Sequence, residues 1–234
     1  MKKTYEIIKN EEALKDFIDW LPQTENYEQY YVALFSRKKY APDNEACSYD
    51  KTQLKRFTSS KELLLRKIRQ LECPVGSYLG KNNLPIPQES LALYISLNPR
   101  DFHAAFFRTI SEFAKILQSF DKENCKNPHQ EVLNVIQTSN SLTRFHVFDI
   151  DTKSEEKLKE ICSILGDNYD LIETRGGYHV LVHHAKISEI PKQEKGNWYV
   201  AMKKIADVVG DCLTPIPGTT QGNFIPKLLK IEKS

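Results

Sequence analysis

Asp149 and Asp151 stand two residues apart at the end of an apolar stretch, Phe145 to Asp151, FHVFDID. Strand side chains alternate between faces, so residues i and i+2 share one. Two carboxylates on one face of an apolar strand are costly to bury unless a counter-charge neutralises them. Carboxylate oxygens are hard ligands, suited to Mg2+ or Mn2+. About twenty residues later comes ETRGGYHVLVHH, where Arg175, Gly176 and Gly177 form a tight turn into a second apolar strand that opens with Tyr178 and His179. The glycines permit positive φ and close backbone approach, and their N–H groups can make an anion-binding nest. Arg175 adds a fork suited to phosphate, and His179 is placed to donate to a phosphate oxygen. A third acid, Asp211, precedes the apolar segment CLTPIPG. Asp149, Asp151 and Asp211 are therefore the expected metal ligands and, with His179, the expected catalytic set. Arg175, Gly176, Gly177, His179 and Arg100 are the expected phosphate contacts. Three acids can hold a pair of ions roughly 3.5–4 Å apart that clamp the attacking and leaving oxygens of a phosphoryl displacement.

Each motif alone has a plainer reading. A DxD at a strand end is often turn chemistry, RGGYH can be a hairpin with a satisfied histidine, and Asp211 can be a turn residue. His183 is expected near the site and His184 in a structural role. The basic clusters at 37–39 and 66–69 are expected on solvated faces, with nucleic-acid contact as the alternative.

The order of elements is what joins these motifs. In the second half, strands are expected at 145–150, 170–174, 178–184 and 212–217, with helices at 154–165 and 197–209. This β-α-β-β-α-β order is the split, ferredoxin-like arrangement. There the first strand runs antiparallel to the third and fourth, so its C-terminal end lies beside their starts. Asp149, Asp151, His179 and Asp211 then meet at one edge of the sheet. A further strand is expected within 224–231.

The first half reads as α/β. Asn10 caps a helix bearing Leu14, Phe17, Ile18 and Leu21, which Pro22 stops. Tyr30 to Phe35 is a strand, and residues 40–52 are a loop. Ser59 with Glu62 is a capping-box signature for a helix through Leu71. Residues 72–89, rich in proline and glycine, form a long irregular connection. Leu91 to Leu97 is a buried strand, and Asn98 to Asp101 start a helix to about Phe120. Asn127 and Pro128 start another. A module boundary near 140 gives an N-terminal module at 1–140 and a catalytic module at 141–234, joined as one compact domain.

Bulk properties exclude little. The formal net charge of +2 gives no global argument for nucleic acid, so such binding must come from local patches. The apolar runs are far short of a membrane span and the N-terminus lacks a signal-peptide core. Five scattered cysteines without a CxxC pair fit a reducing, cytoplasmic compartment. Cys125 and His129 lack a second ligand pair for zinc.

The motif order resembles the archaeo-eukaryotic primase superfamily, including the primase-polymerases of phages and plasmids. That family carries an apolar strand ending in DhD or DhE, a small-x-His motif and a later apolar-Asp motif. Here these are similar to Val147 to Asp151, Gly177-Tyr178-His179 and Asp211. The RGG before the histidine and the PIPGT after the third acid are also similar to segments of such relatives. The resemblance covers about 91–226. It implies an α+β chain in which an RRM-like (ferredoxin-like βαββαβ) catalytic module packs on the N-terminal α/β module, with the active site between them. It further implies Asp149, Asp151 and Asp211 as metal ligands, and His179 with Arg175 on the triphosphate of an incoming nucleotide. Template, primer and nucleoside triphosphates are the implied partners, with a helicase on a separate chain and no membrane. Two departures stand out. Pro215 and Ile216 occupy a stretch where many relatives carry a basic residue, with Lys227 or Arg100 as substitutes. The chain also ends soon after the last motif with no helicase or accessory domain, which favours template-directed extension over self-sufficient priming. A catalytically silent RRM-like nucleic-acid-binding subunit and a metal-dependent nuclease remain open. A rolling-circle nickase fits poorly, because YHVLVHH does not flank one apolar residue with two histidines.

Overall fold

A computed structural model describes residues 3–119, 127–139, 142–191 and 197–229. The chain is a mixed α+β protein in which the strands pair antiparallel in two sheets. The first sheet has the order β2-β1-β3-β9, from β1 (Glu28–Ser36), β2 (Thr52–Ser59), β3 (Leu91–Ile95) and β9 (Thr214–Pro215). A short β4 (Arg100–Asp101) also pairs with β1. Helices α1 (Glu11–Trp20) and α2 (Leu64–Arg69) lie on one face of this sheet, and α3 (Phe102–Ser119) packs on α4 (Pro128–Gln137) beside it. The Asn10 side chain accepts from the Ala13 N–H, 3.0 Å, so the expected cap of α1 is in place.

The second sheet has the order β10-β6-β7-β5-β8. It comprises β5 (Phe145–Ile150), β6 (Tyr169–Glu173), β7 (Tyr178–His183), β8 (Val208–Gly210) and β10 (Lys227–Leu229). Helix α5 (Glu155–Leu165) connects β5 to β6, and α6 (Trp198–Ile205) lies between β7 and β8. Ser154 caps α5 by accepting from the N–H groups of Glu156 and Lys157. Strand alternation divides this sheet cleanly. Phe148, Ile150, Val180 and Val182 pack with Ile161 and Leu165 of α5 and Met202 of α6. Phe145, Val147, Ile172 and Leu181 instead join Leu14, Phe17, Val32, Leu93 and Ile95 in a core shared with the first sheet. By the same alternation Asp149 and His179 belong to the face turned toward the first sheet. No helix among the described residues is long and apolar enough to cross a membrane.

Two expected elements are corrected. The helix expected from Ser59 begins instead at Leu64, and Ser59 is the last residue of β2. This edge strand carries Gln53, Lys55 and Arg56, so no apolar pattern announces it; its backbone pairing with β1 makes it a strand. The strand expected to flank β5 at 212–217 is instead β8 at 208–210, where the end of a helix was expected. Residues 208–210 pair with β5 in the second sheet, whereas Thr214 and Pro215 pair with Ile95 and Tyr94 in the first. The segment CLTPIPG is apolar because it is the seam between the sheets rather than an outer strand. Cys125 and the boundary at 140 lie outside the described residues.

Candidate functional site

Antiparallel register sets the site. Asp149 lies directly opposite His179 of β7 and, on its other side, opposite Val208 of β8. His179 Nε2 is 3.2 Å from Asp149 Oδ1, and its Nδ1 is 3.2 Å from the Thr214 hydroxyl. Nε2 donates to the carboxylate, and Nδ1 faces the Thr214 hydroxyl. Thr214 pairs by backbone in the first sheet while its side chain holds a histidine of the second, so this contact ties the sheets together. Burial alone would raise the Asp149 pKa. The hydrogen bond from His179, with the positive charges of His179, Lys39 and Arg37, outweighs that and holds it below the usual carboxylate range.

The other acid at the start of β8 is Asp207, because the strand begins at Val208. The Asp207 N–H donates to the Asp149 carbonyl, 2.9 Å, and its Oδ2 accepts from the Asp151 N–H, 2.8 Å. The Asp151 side chain is exposed at this edge. The topological argument therefore gathers three acids here, with Asp207 where Asp211 was expected. Among the described residues, no group of three or more His, Cys, Asp or Glu side chains is placed to hold a metal ion.

Asp211 lies past the other end of β8, since Gly210 is opposite Val147. It accepts from Arg100 Nη1 at 2.6 Å, Asn98 Nδ2 at 3.1 Å and Ser96 Oγ at 3.2 Å. This network fastens β8 to the end of β3. Arg100, 3 % exposed, is consumed by that ion pair and does not face an open phosphate site. His179 is 5 % exposed with both ring nitrogens engaged, so in this arrangement it positions Asp149 and does not reach a phosphate.

The RGG turn follows the same logic. The Arg175 N–H donates to Gln221 Oε1 and the Gly177 N–H to Thr174 Oγ1, so two of the three N–H groups of the expected nest are already used. Neither Gly176 nor Gly177 has a positive φ. Gly177 is required by close approach instead: a Cβ there would fall 1.8 Å from the Ile150 carbonyl oxygen. Exposed Arg175 lays its guanidinium 4.4 Å from the centre of the Tyr40 ring.

Arg37, Lys39 and Tyr40, which follow β1, come to the same side of the molecule. Arg37 donates to the Tyr94 hydroxyl at 2.6 Å and pairs with Asp50 at 3.2 Å. The run RKKY flagged these cations in the sequence, but nothing local could say that Asp149 lies within their field.

His183 and His184 stand apart from this site. His183 Nε2 is 2.8 Å from Asp170 Oδ2 and its ring packs on Phe145, at the opposite end of β7 from His179. His184 Nδ1 lies 3.0 Å from His146 Nε2. Burial first, then His184, lowers the His146 pKa, so the folded state favours its neutral ring. Stability from this ring is complete above the ordinary histidine pKa of about 6.5 and is lost as pH falls from there toward the lower folded value. The melting temperature of the wild type should therefore drop over that window by more than that of His146→Gln. The His146 ring should also titrate below free histidine by NMR.

No protein-family model, curated protein or solved structure matches this chain.

Proposed function

We propose that this protein is a metal-dependent nucleotidyltransferase of the primase-polymerase type, extending a primer on a DNA template with nucleoside triphosphates. The observation that carries the reading is the pairing of Asp149 with His179 across two central strands. It lies at the sheet edge that also bears Asp151, and Arg37 and Lys39 lie within its field. The spatial order β8-β5-β7-β6, with a helix in each crossover, supports an RRM-like catalytic module on an N-terminal α/β module. Phage or plasmid replication, with a separate helicase, is the setting this chemistry suits. The four described cysteines are unpaired, which accords with a cytoplasmic setting.

Asp149 and Asp151 fit Mg2+ or Mn2+, because Mg2+ is commonly bound by one or two carboxylates while water and substrate phosphates fill its remaining positions. When bound, the ion supplies charge neutralisation at the transferred phosphate. The chain's own contribution is positioning. His179 orients Asp149 and keeps it ionised, Thr214 orients His179, and the cations of the first sheet oppose the negative charge of the nucleotide. The primer 3′-hydroxyl attacks the α-phosphorus and gives its proton to solvent, a new P–O bond forms, and the bond to the bridging oxygen breaks so that pyrophosphate leaves. Asp211 serves in this reading as a scaffold.

The test is primer extension with Mg2+ or Mn2+, comparing the wild type with Asp149→Ala/Asp151→Ala. Extension should fall by about a hundredfold or more in the variant, as for loss of a charge-stabilising group in other enzymes. Cleavage of the primer instead would assign a nuclease. One observation favours a second reading, a silent nucleic-acid-binding subunit: Asp211, the expected third ligand, is tied to Arg100. Binding of template with neither extension nor cleavage would establish that alternative.

A further inference from the structure

Four cations from three separate stretches of the chain gather at the Tyr40 and Phe35 rings, and the charges of Arg37, Lys39 and Lys51 interact with that of Asp149. Three surround one ring: the Arg175 guanidinium is 4.4 Å from the Tyr40 centroid, that of Arg37 5.6 Å, and the Lys39 ammonium 5.6 Å. The fourth, Lys51, holds its ammonium 5.2 Å from the Phe35 ring. Of the four, Arg37 forms an ion pair, with Asp50, and among the described residues Lys39, Lys51 and Arg175 have no carboxylate partner within salt-bridge distance. Arg37 is mostly buried, 13 % of its side chain exposed, and its Nε has no hydrogen-bond partner.

Aromatic faces hold cations weakly when they remain near water, and like charges crowded at this range repel one another. Lys51 registers the strain: the loss of water around its ammonium, then Arg37, lower its pKa against the opposing pull of Asp50, Cys212 and Asp149. Groups arranged at such a cost mark a site for a ligand of opposite charge. The ligand must be compact, because three of the four cations sit around a single ring rather than along a track. It must also be densely negative and accept forked hydrogen bonds from guanidinium groups.

We infer that Arg37, Lys39, Lys51 and Arg175 form the binding site for the polyphosphate of a nucleoside triphosphate, with Tyr40 as its floor. This inference rests on the nucleotidyl-transfer reading for its choice of ligand and moves phosphate recognition from His179 and the glycine N–H groups to Arg175 together with the cations that flank the first sheet. Asp149 then stands beside the bound phosphates, where a carboxylate without a cation repels them.

Calorimetric titration of the full chain with inorganic tripolyphosphate, and separately with a nucleoside triphosphate, tests this in EDTA without template. Both should bind the wild type. Lys39→Ala/Lys51→Met should weaken both by about tenfold or more, and Asp149→Asn should tighten both severalfold by removing the facing charge. Circular dichroism should show the variants folded. Equal affinities in all variants would overturn the site. So would a result in which the lysine changes weaken only a single-stranded oligonucleotide without a triphosphate, because the cations would then track a nucleic-acid backbone. Neither measurement needs turnover. Lysine-dependent polyphosphate binding without primer extension would sustain this site while the catalytic reading fails. Extension with lysine-independent binding would remove this site alone.

Discussion

Gly177→Ala is expected to lower the stability of the chain by about 3 kcal/mol, the upper end of the range for forcing extra atoms into a packed interior. A Cβ at this position would lie 1.8 Å from the Ile150 carbonyl oxygen and 2.7 Å from the Thr152 N. Both are backbone atoms on either side of Asp151, so no side-chain rotation relieves the clash. The turn cannot simply swing outward, because the Gly177 carbonyl accepts from the Thr174 N–H at 2.9 Å and its N–H donates to Thr174 Oγ1 at 3.1 Å. Relief must come from separating the start of β7 from the end of β5, which moves Asp151 away from His179. Gly176→Ala is the matched control. Its nearest neighbour would be Asp151 Oδ1 at 3.8 Å, an ordinary contact, and its φ is not positive. That variant should stay within about 0.5 kcal/mol of wild type. Urea unfolding of the two variants measures the difference. Equal midpoints would mean that the turn does not press on β5.

Arg100→Met should cost about 3 kcal/mol. Arg100 is buried and bonds Asp211 at 2.6 Å, so its removal leaves a carboxylate without its counter-charge. Breaking a buried pair typically costs about 3–5 kcal/mol. The lower figure applies because Asp211 keeps Asn98 and Ser96 as donors and 22 % of its side chain remains open to water. Adding Asp211→Asn to Arg100→Met should restore about 1 kcal/mol or more, since the orphaned charge is then gone. Denaturant titration of the two single variants and the double variant closes the cycle. Additive losses would show that Arg100 and Asp211 act independently and would release Asp211 from the scaffold role.

Much of the second sheet was legible along the chain because its signals are local. Apolar runs with strand-forming residues and the glycine turn at 176–177 place β5, α5, β6 and β7 within a residue or two of their observed bounds. Period-two alternation also puts Asp149 and Asp151 on one side of β5. The turn between β6 and β7 sets only their own register, with Ile172 opposite His179; Asp149 meets His179 through the separate pairing of β5 with β7. Beyond that, local signals mislead. The apolar segment after Asp211 reads as the fourth strand, yet the flanking strand is the short, polar-bounded VVG before it. Three residues carry too little pattern to compete with seven. The error displaced the third acid from Asp207 to Asp211.

The sequence alone determined the mixed α+β character, the order of strands and helices in the second half, and the pairing of acids with a histidine at one sheet edge. Each depends on side-chain periodicity, turn residues or caps that act over a few positions. Only the tertiary structure decided that Arg100 neutralises Asp211, 111 residues away, and that His179 is fastened by Thr214. It likewise decided that Arg37, Lys39 and Arg175 converge on Tyr40. Those contacts depend on how one sheet seats against the other. A charge or hydroxyl in a sequence carries no record of the partner that packing will bring to it.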